Sequence, residues 1–131
     1  MKATKLNDLE IHGEEGTFFV PHVHFQAQNG KCLMEGEAFL EDTWDFYERL
    51  MTWLQNYTAS NRPITFDFKL SYFNTSSSKG ILELLLFLKE YEDQGGDVTV
   101  NWHYPEKDED SLEEAQDFKE DTGLDINIFT Y

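Results

Sequence analysis

Cysteine is nearly missing from this chain. Cys32 stands alone among 131 residues, so no intramolecular disulfide can form, and a reducing compartment, the cytoplasm, is the expected setting. Positive charge is scarce as well, with ten Lys and Arg against 26 Asp and Glu and a net charge of -16. A nucleic-acid backbone or an anionic membrane surface would repel such a chain, which excludes both as partners, whereas a protein with a basic face suits it. Long apolar runs are missing too. The richest, Ile81 to Leu88, is interrupted by Glu83 and ends at Lys89, too short to cross a bilayer, and the N-terminus MKATKLNDLEIHGEE has no apolar core like that of a signal peptide. These absences point to a soluble protein. No GxSxG elbow, P-loop, dinucleotide fingerprint, HExxH, CxxC or EF-hand pattern occurs, which leaves no catalytic, cofactor or metal site to name from motifs.

What is present is enough for a core. With 40% hydrophobic and 15% aromatic residues, the chain suits one domain over residues 1–131 and is too short for two; residues 1–16 are expected to be loose. Phe18 to Phe25 and Lys31 to Gly36 read as two strands of a hairpin around Gln28-Asn29-Gly30, whose Asn-Gly pair tolerates positive φ. From Thr43 to Tyr57, Trp44, Tyr47, Leu50, Met51, Leu54 and Tyr57 recur at helical spacing behind Asp42 or Thr43 as cap. Ile64 to Tyr72 alternates apolar Ile64, Phe66, Phe68, Leu70 and Tyr72 with polar Thr65, Asp67, Lys69 and Ser71, a strand with one wet face. A second helix follows from about Ser77 to Asp93, apolar nearly all round and therefore central and buried, and Gly95-Gly96 stops it.

Asp97 to Tyr104 repeats the one-sided alternation. Ser111 with Glu114 reads as a capping box for a third helix to about Asp121, and Ile126 to Tyr131 is a last strand. The order ββαβαβαβ describes a two-layer α/β fold. Its mixed, mostly parallel sheet has helices mainly on one face, because right-handed crossovers place them there and the strands have one apolar face each.

The segment that draws attention is FKLSYFNTSSSKGILELLLFLKEY, residues 68–91. Thr75, Ser76, Ser77 and Ser78 lie where an alternating strand meets the start of a helix. Hydroxyls there can cap the first free amides, and the same amides and the positive end of the helix dipole favour a phosphate. The cluster is therefore either a plain turn and cap or a phosphorylation switch. His22 and His24 share one strand face and His103 can share it, but no Cys or carboxylate at matching spacing completes a metal set, and they read as surface histidines. The carboxylates at Glu106 to Asp110 and Glu113 to Asp121 read as a solvated acidic surface. Two further readings stand beside the switch. One is a hydrolase or transferase using a Thr or Ser of the turn with His103 as base, and the other is a constitutive scaffold or small-ligand module.

Three segments carry a resemblance to a known family: LSYFNTSSSKGILELL at 70–85, VNWHY at 100–104 followed by an acidic helix ending EDTG, and MEGEAF with WDFYERLMTWLQNY upstream. Together they resemble the SiaC-type bacterial regulatory phosphoproteins, from about Thr17 to Tyr131. The most specific element is the Asn-Thr-Ser-Ser-x-Lys turn, here Asn74, Thr75, Ser76, Ser77 and Lys79, with Ser78 extending the hydroxyl run. The resemblance implies a fold similar to anti-sigma factor antagonists, the STAS class. It also implies a non-enzymatic partner-switching role without cofactor or metal. Thr75 would be phosphorylated by a cognate Ser/Thr kinase and dephosphorylated by a PP2C-type phosphatase. The unmodified form would use Asn74, Thr75, Ser76, Ser77 and Lys79 to bind a target such as a diguanylate cyclase and activate it. A phosphate there would repel an acidic partner or break a packed contact by desolvation.

Overall fold

The computed structural model describes residues 6–131. Nine elements follow one another: β1 (Leu9–Ile11), β2 (His22–Phe25), β3 (Lys31–Ala38), α1 (Thr43–Thr58), β4 (Ile64–Phe73), α2 (Thr75–Asp93), β5 (Val98–Tyr104), α3 (Glu109–Thr122) and β6 (Ile126–Thr130). The six strands form one sheet in sequence order, antiparallel across β1, β2 and β3 and parallel from β3 to β6. The mixed, mostly parallel α/β architecture is the one expected, with one strand more. Of the segment expected to be loose, residues 1–5 lie outside the described residues, but the remainder is partly tied down. β1 pairs with β2, the Trp53 indole donates to Asn7 O at 2.8 Å, and Ala27 N–H donates to Asp8 Oδ1 at 2.8 Å. A three-residue strand carries too little alternation to be seen in the sequence.

The turn between β2 and β3 closes as its Asn-Gly pair requires. Gly30 has φ +71, and a Cβ there would lie 2.3 Å from both Pro63 O and the Tyr57 hydroxyl, so the position needs glycine twice over. Each later parallel pair is joined by one helix, and successive right-handed crossovers stack α1, α2 and α3 on one face. The burial pattern agrees. Ile64, Phe66, Phe68, Leu70, Val100, Trp102 and Tyr104 are buried, while Thr65, Asp67, Lys69, Thr99, Asn101 and His103 stay partly exposed. On the uncovered face Asp67 Oδ1 accepts from Asn101 Nδ2 and contacts His103 Nε2, both at 3.0 Å, and Lys69 reaches Glu35 at 3.8 Å. No helix among the described residues is long and apolar enough to cross a membrane.

Three local expectations need correction. The buried stripe of α1 is Phe46, Tyr47, Leu50, Trp53, Leu54 and Tyr57, and Trp44 is 73% exposed. At about 100° per residue the stripe centres roughly a third of a turn away from Trp44, so Tyr47, Leu50, Leu54 and Tyr57 lie in it as expected while Trp44 falls outside. α2 is not buried all round, since Leu86 is 44% exposed and Leu82 and Phe87 are partly so; its inward face is Ile81, Leu84, Leu85, Leu88 and Tyr91. α3 is capped by Asp108, which accepts from Ser111 N–H at 3.1 Å. Ser111 turns inward and accepts from the Trp102 indole at 3.0 Å, because a fully buried Trp N–H needs a partner more than a helix end does.

α1 and α2 meet through Tyr47. A Cβ on Gly80 would fall 2.4–2.7 Å from the Tyr47 ring, so the glycine is what lets the ring lie flat on α2. Burial pushes the Tyr47 phenol well above its ordinary pKa, with the nearby Ser77 hydroxyl pulling the other way. The two hydroxyls fall short of hydrogen-bond geometry, and both oxygens are buried without a partner among the described residues.

Leu85→Ala, at a fully buried position, should destabilise the protein by about 2–5 kcal/mol in a denaturant titration, and a wild-type midpoint would place Leu85 outside the core. Tyr47→Phe should leave the midpoint unchanged or raise it, because the phenol hydroxyl is buried unpaired. A loss above about 1 kcal/mol would mean that this hydroxyl is bonded in solution.

Candidate functional site

The three helices all begin at the C-terminal edge of the parallel strands, so their first turns share one end of the molecule. The hydroxyl-rich turn lies in the middle, where β4 passes into α2. Asn74 is the hinge of the turn. Its backbone is extended, its N–H donates to Ala38 O at 3.3 Å, and its Oδ1 accepts from Ser77 N–H at 3.0 Å as the helix cap. Ser76 Oγ donates to the same Oδ1 at 3.2 Å and lies 3.1 Å from Thr43 Oγ1, which links the turn to the first residue of α1. The helix starts at Thr75, two residues ahead of the expected Ser77, because the side chain of Asn74 already does the capping.

Thr75 is exposed, and its hydroxyl takes part in none of the bonds that hold the turn. Ser76 is exposed but engaged, Ser78 is half-buried, and Lys79 is exposed one turn beyond Thr75. Ser77 differs from the expectation of a partner-binding residue: its side chain is fully buried against α1, so only its N–H serves the turn. Electrostatics also single out α2. Asp45 lies in the first turn of α1 and Glu109 and Asp110 in that of α3, while the first turn of α2 contains no acidic residue. Its positive dipole end is thus left without a compensating side-chain charge.

The other candidate groups do not converge on this turn. His103 is held by Asp67 and stacks on Phe129 at 5.3 Å, on the sheet face away from the helices. His24 lies 3.2 Å from Glu10 and 3.8 Å from Asp8. Among the described residues no three His, Cys, Asp or Glu groups converge as a metal set would. Cys32 is buried, and burial followed by the Asp67 charge pushes its thiol far above the ordinary range, so it is no nucleophile at neutral pH. Sequence reasoning missed the neighbours of the turn, exposed Trp44 and Tyr72 and the Thr43–Ser76 contact. The helical spacing that Trp44 shares with the stripe of α1 hid the first, and long-range contacts leave no trace in a local pattern.

Residues 14–131 match a family described as SiaC family regulatory phosphoprotein. An uncharacterized protein of Pseudomonas aeruginosa (strain UCBPP-PA14) is 32% identical over 124 residues, covering 94% of this chain and 96% of its own length. The crystal structure of apo-SiaC from Pseudomonas aeruginosa superposes with TM-score 0.83 at 30% identity, over 93% of this chain and 98% of that one. SiaC in the crystal structure of the diguanylate cyclase SiaD in complex with its activator SiaC, from the same organism, gives TM-score 0.87 at 30% identity, over 95% of this chain and 100% of that one. A match through nearly the whole sequence, together with the shared fold, places this chain in the SiaC family of regulatory phosphoproteins.

Proposed function

We propose that the chain is a cytoplasmic partner-switching protein that, with Thr75 unmodified, binds and activates a diguanylate cyclase, and that phosphorylation of Thr75 ends the interaction. A Ser/Thr kinase adds the phosphate and a PP2C-type phosphatase removes it. The observation that carries this reading is the Thr75 hydroxyl, exposed and unengaged at the first position of α2, beside Asn74 and Ser76 side chains that are bonded within the turn and a Ser77 side chain that is buried. A kinase reaches such a group without opening the fold. The likeness to SiaC, which is an activator of the diguanylate cyclase SiaD, supports the choice of target. No catalytic role is assigned to the chain itself: His24 and His103 lie beside carboxylates away from the turn, and its one thiol is buried.

The switch follows from charge. A phosphate brings about -1.5 to -2 charges to the end of a helix whose first turn has no acidic side chain, where dipole and amides stabilise it. Phosphorylation therefore leaves the fold in place, and Asn74 remains the cap. What changes is the outer surface, where a partner meets a hydrated dianion in place of a small hydroxyl.

Phosphorylated protein, prepared with the cognate kinase, should melt at or above the temperature of the unmodified form and bind the cyclase at least about tenfold more weakly by calorimetry, a cost of about 1.4 kcal/mol. Thr75→Ala should keep binding and activation while refusing phosphate. Equal affinity of the two forms would overturn the switch and leave a constitutive scaffold.

A further inference from the structure

Among the described residues seven large apolar side chains are exposed, and four of them surround the turn. Trp44 follows Thr43, whose hydroxyl meets Ser76; Tyr72 precedes Asn74 by two residues; Phe39 follows Ala38, whose carbonyl takes the Asn74 N–H; Phe18 stacks on Phe39 at 6.0 Å. Trp44, at 73%, is the most exposed of the seven. Apolar surface gathered at one end of a monomer marks a contact site. On the α3 side of the turn a groove of about 630 Å³ runs between the end of β4 and the first turns of α3, lined by Tyr72 with Asp110, Glu113, Glu114 and Asp117, and by no Lys or Arg. Partial burial, then the charges of Asp117, Glu113 and Asp110, hold the Glu114 carboxyl above its ordinary pKa, a crowding that an incoming cation would relieve.

Resting on the proposed switch, we infer that this surface receives a basic amphipathic segment of the target protein. Its apolar side chain lies against Trp44 and Tyr72, and its lysines or arginines enter the groove beside α3. Charge complementarity commits the choice: a chain of net charge -16 with an acid-lined groove at this end draws a cationic segment and turns away an anionic one. The inference also refines how the phosphate acts. A basic partner is not repelled by added negative charge, so a phosphate on Thr75 weakens binding because it must be dehydrated within an aromatic contact.

Titration of the full chain with the cognate cyclase at roughly 0.05 and 0.5 M salt tests this, since salt screens exposed charge pairs and leaves desolvation in place. Affinity for the unmodified chain should fall with salt, while the fold-difference between unmodified and phosphorylated forms persists. Trp44→Ala should weaken binding about tenfold without moving the melting temperature. Asp110→Asn with Asp117→Asn should weaken it and flatten the salt dependence, and the charge-matched Glu83→Gln with Glu90→Gln on the outer face of α2 should do neither. Wild-type affinity of Trp44→Ala, or affinity that does not fall with salt, would overturn the inference.

If the chain binds no cyclase, the proposed function fails and the surface is tested alone with a synthetic amphipathic Leu/Lys helix and its Leu/Glu counterpart. The readout is the fluorescence of Trp44, because Trp53 and Trp102 are buried. The Leu/Lys peptide should shift the emission to the blue and lose affinity about tenfold in the groove variant but not in the α2 control. Equal binding of the Leu/Glu peptide, or no effect of the groove variant, would overturn the docking surface itself.

Discussion

Asn74 joins three parts of the molecule at once. Its N–H holds the end of β4 against β3, and its side chain starts α2 and fixes Ser76, which in turn reaches α1. A strand that ended one residue later would rotate the whole of α2, since each residue turns the helix by about 100°. Ile81, Leu84, Leu85 and Leu88 would then leave the sheet, and Gly80 would no longer lie under the Tyr47 ring. The exposure of Thr75 is thus not a local accident. It is fixed by the same cap that sets the phase of the central helix, packed between α1 and α3.

Much of this was legible in the residues themselves. The alternation from Ile64 to Leu70 and from Val98 to Tyr104 identified two central strands and which face of each stays wet, because period two has no other structural meaning over that length. The turn at Asn29-Gly30 was equally plain. Where the reading failed, competing partners decided the outcome. Ser111 was a sound candidate for a helix cap until Trp102 came within 3.0 Å of it, and Asp108 took the cap instead. Trp44 matched the helical spacing, yet the core selected Phe46 and Trp53. The hydroxyl run showed that a helix begins there with Thr75 exposed, but not that Ser77 would be buried, which depends on the distant Tyr47 side chain beside it.

The sheet and the helices divide the chemistry between them. The uncovered sheet face carries a polar ladder in which Asp67, Asn101, His103 and Asn127 satisfy one another across β4, β5 and β6. Lys69 adds a contact over the Tyr131 ring at 4.7 Å. Those groups bind each other and have little left to offer a ligand. The end where the helices begin is different, with aromatic side chains in water, carboxylates without a basic neighbour in the groove, and a hydroxyl outside the hydrogen-bond scheme. Stability resides in one region and responsiveness in another.

The shared end of the three helices has a consequence for how such proteins diverge. The first turns of α1 and α3 flank Thr75, yet Trp44, Asp45, Glu109 and Asp110 all lie outside the buried stripes. Substitutions there leave the core and the Asn74 cap untouched. On the proposed switch, a duplicated copy would be free to drift toward a new client while the turn around Thr75 stays the same, or to keep its client while the turn is retuned. Crosstalk between parallel circuits would then be set by a few surface positions in two helical turns, and insulation between them could evolve without any loss of fold.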